Sequence, residues 1–166
     1  MPLFIQDEPF TVEIDPMEPE IQRVEIRLRI ALTEPIASTP PESVKSRVFV
    51  LDTAADYASI FPDDLVESAL PAAGPLGGLI PVILWDGSQI ERPMRDVTLW
   101  LYSNLPELEN HPYRIDLNGG VVVLPTPASQ VVNLLKPLLG MNALLDGNLR
   151  VELNCRTRHF SIWIPD

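Results

Sequence analysis

The sequence contains few of the residues on which metal sites and disulfides depend. Among its 166 residues there are one cysteine, Cys155, and two histidines, His111 and His159. A single cysteine excludes a disulfide within the chain and suits a reducing compartment. With no activating neighbours in the sequence, this thiol is expected to be a small buried apolar side chain. The histidines lack ligands at zinc-site spacing, so neither a metal nor a cofactor is expected.

Basic residues are also scarce. Twelve lysines and arginines stand against 23 acidic residues, which gives a net charge of −11. Phosphate repulsion and the lack of any basic run argue against a nucleic-acid partner. The longest apolar stretch, residues 75–85, is too short for a membrane span, and the acidic N-terminus lacks the basic start of a secretion signal. These absences predict a cytoplasmic protein with no membrane partner.

Proline and short apolar segments dominate instead. Eighteen prolines disfavour long helices. Residues 24–30 (VEIRLRI) alternate strictly between apolar and charged side chains, which is typical of a half-buried strand. Further short apolar segments follow at residues 47–51, 97–102, 121–124, 149–153 and 159–164. The pattern predicts an all-β fold with one or two short helices, preceded by an acidic, proline-rich arm or edge segment at residues 1–21. A short helix is expected at residues 62–70, where a proline and two acidic residues precede apolar ones, and a short helical turn at residues 129–135. The remaining residues, 22–166, are expected to form a single domain.

Residues 48–61 (VFVLDTAADYASIF) carry the most informative chemistry. An apolar strand runs directly into Asp52, followed by Thr53 and small residues. A carboxylate at the end of a buried strand is costly unless it is hydrogen-bonded or coupled to a second group. The simpler interpretation is an aspartate that caps a turn.

This segment resembles the active-site signature of the retropepsins, the retroviral-type aspartic proteases: two apolar residues, then Asp-Thr/Ser-Gly-Ala-Asp. Residues 138–144 (LLGMNAL) resemble the second signature of that family, two apolar residues followed by Gly-x-Asn. In family members this second segment crosses behind the active-site loop and enters a short helix. The resemblance covers roughly residues 22–164 and implies a closed acid-protease barrel, in a single-domain member of the bacterial type.

The resemblance also implies a homodimer, because the chain has a single Asp-Thr pair where two are needed. Each subunit then supplies one catalytic Asp52, and the pair activates a water molecule that hydrolyses a peptide bond. The implied supporting residues are Thr53, which bonds across the two-fold axis, and Ala54, Ala55 and Asp56, which meet a peptide or protein substrate. Gly140 and Asn142 of the second signature are expected to support the loop.

A mobile flap over the site is expected as well. Gly77 and Gly78 lie about where its tip is expected, since glycines suit a hinged turn. Residues 79–85 and 90 onward read as a hairpin, however, and its tight turn at Asp86-Gly87 is the competing flap tip.

Two positions depart from the family pattern. Ala54 stands where the family has glycine, and Met141 stands where retroviral members have an arginine paired with the residue that matches Asp56. Because Met141 cannot form this pair, Asp56 needs another partner, and the candidates are Arg47, Arg150, Arg156 and Arg158. Ala54 favours the main alternative, a catalytically inactive retropepsin-fold module for binding or dimerisation. A third possibility is an unrelated sandwich in which Asp52 only caps a turn.

Overall fold

The chain folds mainly into β-strands. Its structure is a computed structural model that describes residues 1–14, 18–20, 22–35, 44–68, 70, 76–83, 87–125 and 136–166. Two short α-helices, α1 (Pro62–Glu67) and α2 (Met141–Asp146), and a 3-10 turn at Pro106–Leu108 accompany the strands. The all-β class is thereby confirmed. The strands are β1 Leu3–Pro9, β2 Thr11–Ile14, β3 Gln22–Glu25, β4 Arg27–Thr33, β5 Arg47–Leu51, β6 Ser59–Ile60, β7 Leu76–Ile83, β8 Gln89–Arg95, β9 Thr98–Leu101, β10 Tyr113–Asp116, β11 Val121–Val123, β12 Leu138–Leu139, β13 Arg150–Asn154 and β14 His159–Trp163.

Most of these strands belong to one long hydrogen-bonded ladder. Its nine strands follow the order β10-β9-β4-β5-β12-β6-β11-β8-β7, beside a three-stranded sheet β1-β14-β13 and the hairpin β2-β3. In the described residues the ladder does not close, because β10 and β7 are its two end strands. Beside β10 lies the end of α2 rather than another strand, and the Tyr113 hydroxyl donates to the Gly147 carbonyl at 3.0 Å. The described strands therefore form an open ladder, and the closed barrel stays a prediction.

The N-terminal segment, expected to be an arm or edge segment, contributes β1 at the edge of the three-stranded sheet. Strand β1 pairs antiparallel with β14, and the side chains of Phe4 and Ile5 are 1% and 4% exposed. Phe10 is also buried. The three apolar side chains explain why this segment packs on the rest of the protein, because removing them from water outweighs the preference of the flanking acidic residues for solvent.

Strand β4 shows how the alternating sequence builds the core. Leu28 and Ile30 are buried, whereas Arg27 and Arg29, which alternate with them, are exposed. The alternation stops after Ile30, where the pairing of β4 passes from β5 to β9 and every residue to Thr33 is buried. One core cluster joins these side chains to Phe49 of β5 and to apolar side chains of β14.

The short strand β12 gives the sheet the feature that positions the candidate site. It pairs parallel with β5 (Leu138 opposite Val50) and antiparallel with β6 (Leu138 opposite Ser59). A segment distant in sequence thus separates the two strands that flank the Asp52 loop, and it continues directly into α2. The two ends of the loop are consequently held apart by one intervening strand.

Strands β7 and β8 form the expected hairpin, with Ile83 opposite Gln89. Gly77 and Gly78 lie inside β7, where the pairing register shifts between Leu76 and Leu79. Their assignment to a flap tip is therefore corrected: they occupy an irregularity of the strand, whereas the connection from β7 to β8 runs between Ile83 and Gln89. Gly87 has φ of +81°, as a tight turn requires, while residues 84–86 lie outside the described residues.

Two other features complete the comparison with the sequence. Cys155 is exposed, not buried as expected, because it lies in the turn between β13 and β14. No helix in the described ranges is long and apolar enough to span a membrane.

Candidate active site

Asp52 leaves the end of β5 and begins a loop that returns at β6. Its backbone N–H donates to the Leu139 carbonyl of β12 at 3.0 Å, which fixes the Cα position. The side chain is half-buried, and its Oδ1 accepts the Ala54 N–H at 2.9 Å. A carboxylate that accepts an N–H two residues ahead also occurs in ordinary Asx turns. This bond alone therefore shows a preorganised carboxylate and not a reaction.

The alanine at position 54 is accommodated without backbone strain. Among the described residues, the non-glycine positions with positive φ are Asp7, Asn148 and Arg158, and Ala54 is not one of them. The methyl group thus imposes no left-handed penalty on the loop. Thr53 and Ala54 are both exposed. The tip of the loop therefore faces outward, while the Ala54 N–H points back to the Asp52 carboxylate.

Helix α2 begins against the back of the same loop. The N–H groups of Met141 and Asn142 donate to the carbonyls of Ala55 and Asp56 at 2.8 and 3.0 Å. These bonds satisfy two helix N–H groups that lack partners within the helix. They also tie the backbone of residues 55 and 56 to the second sequence segment.

Asn142 joins three parts of the chain through its side chain. Its Oδ1 accepts the N–H of Ala58 at 2.7 Å and its own helix's Ala143 N–H at 3.0 Å, while Nδ2 donates to the Gly120 carbonyl at 3.1 Å. Ala58 is fully buried, so its amide needs this partner. The asparagine expected from the sequence is thus a structural clamp on the Asp52 loop.

Gly140 permits the close contact between the two segments. A Cβ atom added to it would lie 2.4 Å from the Tyr57 carbonyl carbon and 2.5 Å from its oxygen. Its φ of −84° is available to every amino acid, so the requirement is for space alone. Gly120 has both constraints, with φ of +78° and an added Cβ 2.1 Å from the Arg95 oxygen.

The Asp52 loop faces a cleft of about 480 Å³. One wall is the loop itself, and another is the second half of β7, from Ile80 to Ile83. The lining residues are Asp52, Ala54, Ala55, Asp56, Tyr57, Ser59, Ile80, Pro81, Val82, Ile83, Val122, Leu124 and Leu138. The cleft is thus apolar apart from the two carboxylates, the Tyr57 and Ser59 hydroxyls, and backbone groups.

The cleft carries negative charge without a visible counter-charge. Asp56 is exposed, and its carboxylate has no hydrogen bond or ion pair with any residue in the described ranges. Two of the arginines considered as partners are engaged elsewhere: Arg47 with Asp64 at 2.9 Å and Arg150 with Glu152 at 3.2 Å. The other two, Arg156 and Arg158, follow β13 in the turn that leads to β14, and no ion pair joins either to Asp56.

A buried ion pair steadies the strands on either side of the loop. Asp64 in α1 is 1% exposed; its Oδ1 meets Arg47 Nε at the start of β5, and its Oδ2 accepts the Phe61 N–H at 2.7 Å. The helix that follows β6 is thereby tied to the strand that precedes Asp52. The sequence predicts a turn or helix start at Asp63 and Asp64, but it does not indicate the arginine partner, because the contact links different elements.

A second ion-pair group holds the chain that enters β12. Glu25 accepts hydrogen bonds from Lys136 and from Arg27, each at 2.6 Å. Burial favours a higher pKa for Glu25, but the bonds and charges of Lys136 and Arg27 outweigh it and hold the pKa below its ordinary value. The Pro137 carbonyl beside Lys136 accepts the Val50 N–H at 2.9 Å. The strand that separates β5 from β6 is therefore anchored where it begins.

The structure thus brings together Asp52, Thr53, Ala54, Ala55, Asp56, Gly140 and Asn142 of the expected site. It does not bring Gly77 and Gly78 to a hairpin turn. Sequence reasoning missed Tyr57, Gly120 and the hairpin residues Ile80 to Ile83, although the adjacent glycines 119 and 120 were a visible signal of a turn. In the ranges that the structure describes, no cluster of three metal-ligating side chains occurs.

Neither a protein-family model nor a curated protein matches this chain. The function must therefore be inferred from the site itself.

Proposed function

We propose that this chain is a retropepsin-like aspartic endopeptidase that acts as a homodimer in the cytoplasm. The observation that carries the proposal is the position of Asp52. Its carboxylate stands at the end of a core strand, is oriented by an amide of its own loop, and opens on a peptide-sized apolar cleft. An aspartate that only capped a turn would need neither the cleft nor the clamp that β12 and α2 place behind the loop.

A second copy of the chain completes the chemistry. Two Asp52 carboxyls held close on a two-fold axis share one proton, because like charges at short distance disfavour double ionisation. Thr53 and Ala54 are exposed at the tip of the loop, where a partner subunit can meet them. An isologous contact of this kind places each residue against its own copy or a symmetric neighbour.

The reaction then needs only water and the two carboxyls. The ionised Asp52 removes a proton from water, and the water oxygen bonds to the peptide carbonyl carbon. The protonated Asp52 donates to the carbonyl oxygen as negative charge develops there. When the C–N bond breaks, the nitrogen takes a proton from the dyad, which leaves a new carboxyl terminus and a new amine.

The β7–β8 hairpin supplies another wall and the cover. Leu79 and Ile83 are 63% and 76% exposed, although each is a large apolar side chain. Burying this surface against a peptide in the cleft is favourable, and it also excludes water from the reacting bond.

The alternative is an inactive module that uses the same cleft for binding. The exposed Ala54 methyl favours it, because a family glycine there would leave more room for a substrate backbone. Asp52→Asn separates the two proposals, since asparagine keeps an oxygen for the Ala54 N–H and removes only the ionisable group. We expect cleavage of a peptide library at acidic pH, and a loss of at least about a hundredfold in kcat/KM in Asp52→Asn. Absence of cleavage at every pH by a stable dimer would support the binding module.

Cysteine cross-linking tests the dimer independently of activity. In a Cys155→Ser background, Thr53→Cys is expected to form an intersubunit disulfide, because the proposed axis places the two copies of residue 53 together. Asn110→Cys, an exposed residue outside the cleft, is the matched control and is expected to stay unlinked. Equal cross-linking of both variants would contradict the proposed axis.

A further inference from the structure

The loop that carries Asp52 also carries a second, unneutralised carboxylate in the same cleft. Asp56 lines the cleft, its side chain is exposed, and it has no cationic partner in the described ranges. Its backbone carbonyl is held by the Asn142 N–H at 3.0 Å. The backbone is therefore fixed while the carboxylate remains available to a ligand.

An aromatic residue lines the same cleft. Tyr57 follows Asp56 in the sequence, and it is 40% exposed. A carboxylate and an aromatic ring in one cleft suit a guanidinium or ammonium group. The carboxylate pairs with the positive charge, and the ring attracts the cation through a cation–π interaction. Among the described residues that line the cleft there is no lysine, arginine or histidine.

We infer that Asp56 and Tyr57 form a cation-selective subsite, so that the substrate is a peptide with an arginine or lysine near its scissile bond. The apolar walls from Ile80 to Val82 and at Leu124 take the neighbouring apolar side chains of the same peptide. The cleavage of the bound peptide in this inference rests on the proposed function. The recognition itself depends only on the cleft.

The magnitude follows from the exposure of the groups. An ion pair between partly exposed groups, aided by one aromatic face, is expected to favour the cationic peptide by about three- to tenfold in affinity. Raising the salt concentration should reduce this preference, because an exposed pair is screened.

The test is a binding comparison with two fluorescein-labelled pools of short peptides. Both pools have the same randomised apolar centre; one carries arginine on either side, and the other carries citrulline, which has nearly the same shape without the charge. The protein is full-length Asp52→Asn, so that no turnover consumes the probe. We expect Asp52→Asn to bind the arginine pool more tightly than the citrulline pool. The double variant Asp52→Asn/Asp56→Asn should lose this preference, whereas Asp52→Asn/Glu109→Gln should keep it. Glu109 is exposed and outside the cleft, so it controls for net charge.

Three results would overturn the inference: equal affinity for the two pools, no binding of either pool, or a preference that survives Asp56→Asn. The proposed hydrolysis fails separately. If the wild-type protein cleaves neither pool while the Asp56-dependent preference persists, the endopeptidase proposal is wrong and the cation-selective subsite stands.

Discussion

The side-chain oxygen of Asn142 accepts the buried N–H of Ala58 at 2.7 Å, across 84 residues of sequence. This bond joins the Asp52 loop to helix α2. The same side chain reaches the Gly120 carbonyl, so one residue holds the loop, the helix and the turn before β11.

Removing this side chain should destabilise the whole protein. Asn142→Ala leaves the Ala58 amide buried without a partner, which is expected to cost roughly 2 kcal/mol of unfolding free energy. Urea unfolding measures the effect. The control is Asn110→Ala, an exposed asparagine, for which a change below about 0.5 kcal/mol is expected. Equal effects of the two substitutions would show that the clamp contributes nothing.

Space at residue 140 should matter more than space at residue 78. Gly140→Ala forces a methyl group against the Tyr57 backbone and is expected to cost about 1–3 kcal/mol and to displace the Asp52 loop. Gly78→Ala meets no atom within 4 Å and should be nearly neutral. Unfolding free energies of both variants provide the comparison, and a neutral Gly140→Ala would contradict the close packing described above.

Glycine at position 54 should change stability more than catalysis. Ala54→Gly keeps the amide that orients Asp52 but increases the freedom of the unfolded chain, which is expected to cost about 0.4–1 kcal/mol. We expect kcat/KM to stay within the same order of magnitude. A peptidase activity that appears only in the glycine variant would instead favour the inactive module for the natural sequence.

The ion-pair group at Glu25 should make stability fall in acid. Because the pKa of Glu25 is lowered in the fold, the unfolded chain binds more protons in the window between the two pKa values. The contribution of Glu25 is present above its ordinary pKa and is lost as the pH falls through the lower, folded value. Glu25→Gln is expected to lose about 1 kcal/mol at neutral pH and to show no deficit once Glu25 itself is protonated. Urea unfolding over this pH range measures the loss of unfolding free energy, with Glu109→Gln as the control. A loss that does not depend on pH would be inconsistent with a charge effect.

Local patterns predicted individual elements well. The apolar segment at residues 47–51 became β5 with the same bounds, and Pro62 with its acidic neighbours begins α1 as expected. Both depend on properties of adjacent residues, namely apolar β-branched side chains and a proline at a helix start.

Long-range relationships were predicted less well. The acidic N-terminal residues predict an arm or edge segment but not its partner: β1 joins β14 because Phe4 and Ile5 find apolar partners contributed by the other end of the chain. The expected helical turn at residues 129–135 lies outside the described residues. The role of Asn142 was expected only from the resemblance, since nothing local to residue 142 shows that it faces Ala58.

Subunit mixing tests the central claim most directly. Wild-type protein is unfolded and refolded together with increasing fractions of Asp52→Asn, and peptide cleavage is measured at constant total protein. If the reacting group is a pair of Asp52 carboxyls from two subunits, specific activity falls with the square of the wild-type fraction, because mixed dimers are inactive. A linear decrease, or the absence of Asp52-dependent cleavage in the pure wild type, would contradict the account.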